Sequence, residues 1–294
     1  MRKLYYQILS FISGIVKFYF RKNLRVLAYH DVPNKTIFSS HIQYLKSHYN
    51  IISIETLRES LLNDDVKLPN YSLLITFDDG YRNVLENGLP VLINNKISSC
   101  IFIITRYIDT TVNFWWKDVE VNGKVRGESS KEIRQTINAL KKMTNKERIA
   151  ILNKIPSTKR KQITSEELLY MKRNKMYIGS HTHNHPMLNN CSDDEIENEL
   201  EVSKSLFDQW KIEGFEVFAY PNGDRTEKTD DILLKNHIKL AFLFDHRINA
   251  TNISSMGISR IRTNAGMPLS ELKVKASGLH SLISNLTLIR YGSI

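Results

Sequence analysis

Short apolar runs alternate with amphipathic stretches through most of this chain. The runs at 24–29, 73–77, 98–104, 176–179, 215–220 and 240–244 are largely apolar on both faces, the pattern of strands buried in a parallel sheet. The stretches between them repeat apolar residues at helical spacing, as at Ile196, Leu200, Ser203, Phe207 and Trp210. Ser192 with Glu195 and Thr164 with Glu167 are spaced as capping boxes and mark helix starts. Strand and helix in alternation predict an α/β fold around a parallel sheet, open or closed into a barrel.

Polar residues collect directly after these strands: His30 and Asp31; Asp78, Asp79 and Gly80; Ser180 and His181; Pro221, Asn222 and Gly223; Asp245 and His246. In a parallel barrel the C-terminal strand ends are where active sites are built.

Two segments depart from the alternation. Residues 113–163 read as an insertion beside the mouth of the site, far longer than the usual connection of about two to six residues. They hold Trp115 and Trp116, a turn at Asn122 and Gly123, and helices capped by Ser129/Glu132 and Thr144/Glu147. Residues 1–23 read as an amphipathic helix preceding a domain of residues 24–294. Leu4, Ile8, Phe11, Ile15 and Phe18 lie on one side of it, with Gln7, Ser10, Gly14 and Lys17 on the other. Such a helix lies on a membrane, packs against the domain, or, near the minimum length, spans a bilayer. It lacks the clean apolar run and small-residue cleavage site of a secretory signal.

With 294 residues, 41% hydrophobic and 24% charged, the chain can bury a sizeable core and is not a disordered or fibrous sequence. Cys100 and Cys191 suggest neither a disulfide framework nor a thiolate metal site. The net charge of +10 is concentrated. Residues 1–25 carry six basic side chains and no acid, and residues 113–163 carry 13 Lys/Arg against 5 Asp/Glu. Such charge suits nucleic acid, an anionic membrane or an anionic substrate. No nucleic-acid module accompanies it, so nucleic acid is not an expected partner.

His181 and His185 are four residues apart, a spacing that on a helical turn presents both imidazoles to one ion and turns His183 away. Taken singly, histidines more often satisfy structural hydrogen bonds, and Asp followed by Gly is a default turn. Taken together, two imidazoles and two adjacent carboxylates suit metal-dependent hydrolysis. One carboxylate ligates, the other takes a proton from the attacking water, and positions stay open for water and substrate.

Thr76-Phe-Asp-Asp-Gly80 and Ser180-His-Thr-His-Asn-His185 resemble the first two signature motifs of the polysaccharide deacetylase family, also called NodB-homology or carbohydrate esterase 4. Leu27-Ala-Tyr-His-Asp31 upstream and Phe218-Ala-Tyr-Pro-Asn-Gly223 downstream extend the likeness, which is closest to the poly-N-acetylglucosamine deacetylase branch. The resemblance implies a distorted (β/α) barrel and a divalent metal, most often zinc. By the same likeness Asp79, His181 and His185 are the metal ligands and Asp78 is the general base. It also places Tyr220, Pro221, Asn222 and Gly223 at the substrate, with the backbone N–H of Tyr220 on the oxyanion.

The sequence departs from the family pattern in two places. The arginine expected ahead of the Pro-Tyr-Gly segment is missing, which leaves Arg260 and Arg262 as candidates to orient the base. The usual C-terminal Leu-x-His is only echoed at Leu279-His280, so His30 is the first candidate acid, ahead of His246 and His280. Trp115 and Trp116 are candidates for sugar contact or for the core of the insertion.

The expected function is hydrolysis of N-acetyl groups on an amino-sugar-containing glycan or glycan precursor, releasing acetate. O-acetyl ester hydrolysis and non-catalytic glycan binding are the alternatives. The basic segments suit an anionic or lipid-linked substrate in surface-polysaccharide synthesis, with peripheral membrane contact through residues 1–22. The expected location is the cytoplasm or the cytoplasmic face of the membrane; an N-terminally anchored, outward-facing protein is the alternative.

Overall fold

The computed structural model describes residues 2–63 and 65–283, so Asp64 and the end of the expected domain, 284–294, lie outside the described residues. Its strands are β1 (Arg25–Tyr29), β2 (Asn50–Ile51), β3 (Ser72–Phe77), β4 (Ser99–Ile103), β5 (Met176–Ser180), β6 (Val217–Ala219), β7 (Leu240–Phe242) and β8 (Ile261–Arg262). Its helices are α1 (Arg2–Tyr19), α2 (Lys35–His48), α3 (Ile54–Leu62), α4 (Leu89–Asn95), α5 (Trp115–Val125), α6 (Ser130–Leu140), α7 (Asn145–Leu152), α8 (Ser165–Arg173), α9 (Asp193–Gln209), α10 (Glu227–Lys235) and α11 (Leu269–Ser277).

The strands form one sheet in the order β7-β6-β5-β4-β3-β1-β8, with β2 added to β3. Every pairing between them is parallel. One stretch of chain closes the ends: Ile258 bridges Phe242 of β7, and Ile261 and Arg262 pair with Leu27 and Ala28 of β1. The result is the distorted (β/α) barrel that the family likeness implies, where the alternation alone left the sheet open or closed.

Side chains on a strand alternate between faces, and here the alternation separates two cores. Val26, Leu74, Cys100, Phe102, Val217, Ala219, Leu240, Phe242 and Ile258 pack together inside the barrel. Leu27, Leu73, Ile75, Ile101, Ile103, Ile178 and Phe218 pack outward under the helices. Extending the inner rows upward gives Val26–Ala28–His30 on β1, Leu74–Thr76–Asp78 on β3 and Tyr177–Gly179–His181 on β5. The inner rows therefore deliver three chemically active side chains to one mouth.

Residues 113–163 hold α5, α6 and α7 on a stem in which Val112 bridges Lys159 in antiparallel fashion. The capping boxes at Ser129, Thr144, Thr164 and Ser192 all form. The expected turn at Asn122-Gly123 does not, because Gly123 lies within α5. A Cβ there would come within 2.7 Å of Ile133, so the glycine lets α5 and α6 approach. Gly127, with φ +79°, makes the turn instead.

The helix α1 packs on α11 through Tyr6, Leu9 and Val16, which meet Val274 and Leu279. This is not the face that the hydrophobic repeat singles out. Leu4, Ile8, Phe11, Ile15 and Phe18 are 60–86% exposed on the opposite side. A second strip of apolar side chains at 6, 9 and 16 makes the domain contact, so packing and exposure of an apolar face coexist. No described helix is long and apolar enough to cross a membrane.

Candidate active site

Adjacent carboxylates at the end of β3 are sent in different directions by the backbone. Asp78 continues the inner row and donates its amide to the Tyr29 carbonyl at 2.9 Å. Asp79 and Gly80 follow with φ +70° and +82°. A left-handed aspartate is an uncommon conformation of the kind that collects at functional sites. It turns the Asp79 carboxyl toward His181 and His185, whose Nε2 atoms each lie 3.7 Å from Asp79 Oδ1.

The ligand atoms of Asp79, His181 and His185 all lie within 4.8 Å of one another, and all three residues are buried. His181 Nδ1 donates to the Ala219 carbonyl at 2.7 Å, which fixes the tautomer and leaves Nε2 with a free lone pair. Burial lowers both imidazoles below their ordinary pKa, His185 strongly, so both are neutral as metal ligation requires. Burial, then the neighbouring Asp78, raises Asp79 well above the carboxylate range, a conflict that a cation among these donors would relieve. The donor set fits a divalent ion, with zinc well suited to two imidazoles and a carboxylate.

The two histidines do not share a helical turn. Residues 181–187 form a loop in which Thr182 and His185 take positive φ, 68° and 56°. Buried Glu199 on α9 holds this loop, accepting from the amides of His183 at 2.9 Å and Asn184 at 2.7 Å and from Asn184 Nδ2 at 2.7 Å. The insertion supports it from outside, as Arg148 donates to the His185 carbonyl at 3.1 Å. His183 turns away to the Thr105 hydroxyl, 3.0 Å from its Nδ1. Sequence reasoning missed Glu199, although a carboxylate among Ile196, Leu200 and Ser203 on an inward helix face is a visible signal.

Asp78 meets Arg260 in a buried two-pronged pair, with Nη1 donating to Oδ1 at 2.6 Å and Nη2 to Oδ2 at 2.9 Å. The Leu243 carbonyl accepts from Arg260 Nε at 2.7 Å and steadies the fork. Burial alone would raise the Asp78 carboxyl, but Arg260 holds it below its ordinary value. Of the two candidate arginines, Arg260 is thus the one that contacts Asp78. Arg262 lies two residues further toward the mouth, about 6.6 Å along a strand, and is exposed at the rim.

A cavity of about 240 Å³ joins these groups, lined by His30, Asp78, Asp79, His181, His185, Tyr220, Asn222 and Gly223 among others. Of the three candidate acids only His30 lines it, with its ring edge-on to Phe244; His246 and His280 do not. Burial is the largest cause that pushes His30 down to about 4, with Arg260 among the cations that add to it.

The Tyr220 amide is not available to an oxyanion. It donates to the Phe242 carbonyl at 3.0 Å as part of the β6–β7 pairing. The Tyr220 hydroxyl is likewise engaged, donating to Asp230 at 2.7 Å. Pro221 is buried and is not among the cavity-lining residues.

The two tryptophans separate. Trp116 lines the cavity, stacks on Phe114 at 4.9 Å and donates to the Tyr81 hydroxyl at 3.1 Å. Trp115 is not a sugar contact, because its ring is buried with Val119, Leu140 and Met187 as the core of the insertion. That core includes Met187, two residues beyond His185. The insertion also contributes Lys141, which sequence reasoning missed: it lines the cavity and donates to Asn222 Oδ1 at 3.0 Å.

The sequence profile described as Polysaccharide deacetylase matches residues 65–241. Among solved structures, the Streptococcus pyogenes deacetylase PplD in complex with acetate is similar, with a TM-score of 0.62 and 19% identity over 87% of this chain and 98% of that one. IcaB from Ammonifex degensii gives 0.63 and 18%, covering 87% and 97%. The de-N-acetylase from Aggregatibacter actinomycetemcomitans gives 0.62 and 15%, covering 86% and 99%.

Proposed function

The chain belongs to the polysaccharide deacetylase family, and from that premise we propose that it is a metal-dependent hydrolase removing N-acetyl groups from an amino-sugar-containing glycan or glycan precursor, with release of acetate. The observation that carries this reading is the ionised, Arg260-held Asp78 beside the Asp79, His181 and His185 cluster. A divalent ion, zinc first among candidates, would supply Lewis acidity to the acetyl carbonyl.

The chain's own residues supply the rest. Asp78 lies in the cavity with its carboxylate kept ionised, so it can take the proton of the attacking water. His30 shares the cavity and is the candidate that gives a proton to the departing nitrogen. Because His30 is neutral at rest, the proton it gives has to arrive within the reaction cycle. Trp116, Tyr81 and Phe244 wall the cavity with aromatic surface suited to a sugar ring.

Lys141 and Arg262 stand at the same cavity, which favours a glycan carrying negative charge or a lipid-linked precursor with a phosphate. A protein acting on such precursors in surface-polysaccharide synthesis belongs in the cytoplasm or on the cytoplasmic face of the membrane, whose anionic leaflet attracts basic segments. Recovery only from an outer-surface fraction would count against that location.

The low pKa of His30 favours one second reading, O-deacetylation, since an ester needs less help from an acid. The test is acetate release by metal-loaded protein from N-acetylated and O-acetylated glycans, beside an Asp78→Asn control. Release from amides that requires Asp78 supports the first reading; release from esters alone supports the second. No release from any glycan would sink both.

A further inference from the structure

We propose that α1 is a docking helix that lies in the surface of a bilayer containing anionic lipid, with its outward apolar face among the acyl chains and its opposite face still bound to α11. The outward stripe is Leu4 (62% exposed), Ile8 (61%), Phe11 (86%), Ile15 (75%) and Phe18 (60%), with Tyr19 (76%) at its edge. At 3.6 residues per turn the first five fall within an arc of about 80°. Each is the kind of side chain that soluble surfaces scatter singly, and here they form a continuous patch.

The stripe is not what attaches α1 to the domain. Tyr6, Leu9 and Val16 do that against α11, and Arg25 donates to the Lys17 carbonyl at 3.4 Å. The Lys17 ammonium lies over the rings of Tyr49 and Tyr71, at 5.6 and 5.3 Å from their centroids. With the inner face so engaged, the outer stripe has no described part of the chain to cover it.

Charge selects the occupant. The first 25 residues hold six basic side chains and no acid, and although Lys17 and the buried Arg25 are engaged inward, no acid offsets the others. The Arg21 guanidinium sits over the Phe18 ring, 4.6 Å from its centroid, at the edge of the stripe, and Lys22 beyond it is exposed. A second copy pairing through this face would bring two such cationic segments together, which repels. An anionic bilayer offers phosphates at the level of the cations and hydrocarbon beneath them. No described helix can cross the bilayer, so the helix lies in the surface.

Docking would also set the position of the site. Tyr6 on the inner face of α1 lines a groove of about 690 Å³ with Asn264, Met267 and Lys275, and its wall includes Arg262, which also lines the catalytic cavity. On the deacetylase reading, on which this last step rests, Arg262 at the border of groove and cavity suits a substrate held at the lipid surface.

The experiment is co-sedimentation of the full chain with phosphatidylcholine vesicles, with and without phosphatidylglycerol, for the native sequence and for Phe11→Glu/Ile15→Glu. The native chain is expected to bind the anionic vesicles, less so as salt rises, and the variant to lose at least about tenfold in binding. Both substituted positions are exposed and outside the site, so melting temperature and acetate release from a soluble glycan should not change. Equal vesicle binding by the variant, or no binding by the native chain, overturns the proposal. So does a native dimer that the variant abolishes without any vesicle binding. Vesicle binding with no acetate release would leave docking standing while the deacetylase reading fails.

Discussion

Asp78 and Asp79 are neighbours in the chain with opposite electrostatic fates. Arg260 holds Asp78 ionised, whereas Asp79, turned away by its left-handed backbone, has two neutral imidazoles for company and is pushed toward its protonated form. A peptide unit between them separates the candidate base from a candidate ligand.

The base should depend on its guanidinium. Arg260→Ala leaves a buried carboxylate unpaired, at a cost of about 3–5 kcal/mol in stability. Without the cation, burial raises the Asp78 pKa, so the base is protonated at a higher pH. The acid limb of kcat/KM should therefore move to higher pH, and less so in Arg260→Lys. A limb that stays in place in both variants would remove Arg260 from the mechanism.

Metal binding should release protons. Asp79 is raised well above the usual carboxylate range in the metal-free cluster and must ionise to ligate, so affinity for zinc should strengthen as pH rises. Calorimetry in buffers of different ionisation enthalpy reads the proton count, and a count of zero would contradict the raised Asp79. Chelation should lower the melting temperature and added zinc restore it, worth about 2.7 kcal/mol at a hundredfold excess over Kd.

Glu199 should act through the loop that it holds. In Glu199→Gln one oxygen can still accept, whereas Glu199→Ala leaves the His183 and Asn184 amides without their acceptor. Metal affinity is expected to fall by about 10–100-fold in the alanine variant, the usual cost of losing an outer support of a ligand. Undiminished zinc affinity in Glu199→Ala would show that the loop holds its shape unaided.

The two tryptophans should fail differently. Trp115→Ala hollows the core of the insertion and is expected to cost about 3–5 kcal/mol in thermal or denaturant unfolding. Trp116→Ala, at the cavity wall, should mainly raise KM. The opposite assignment of the two effects would reverse the description of this corner.

Much of this was legible in the sequence because it follows from periodicity. The inner rows of β1, β3 and β5 could be counted, and their ends carry His30, Asp78 and His181. What could not be counted depends on close approach. Gly123 looks like a turn residue until Ile133 of the next helix is seen against it. His181 and His185 converge through a loop of left-handed residues that nothing in their spacing announces. Tyr220 lines the cavity, but whether its amide is free depends on the register of β6 against β7, which one chain read alone does not fix. For α1, periodicity found the more apolar face, and the partner at α11 took the other.

The chain stretch that seals the barrel between Ile258 and Arg262 also contains Arg260. As the polypeptide is made, Asp79, His181 and His185 all emerge before it, so a nascent or partly folded chain already has its three candidate ligands while Asp78 still lacks its cation. Sealing the barrel and pairing Asp78 with its cation are thus a single event.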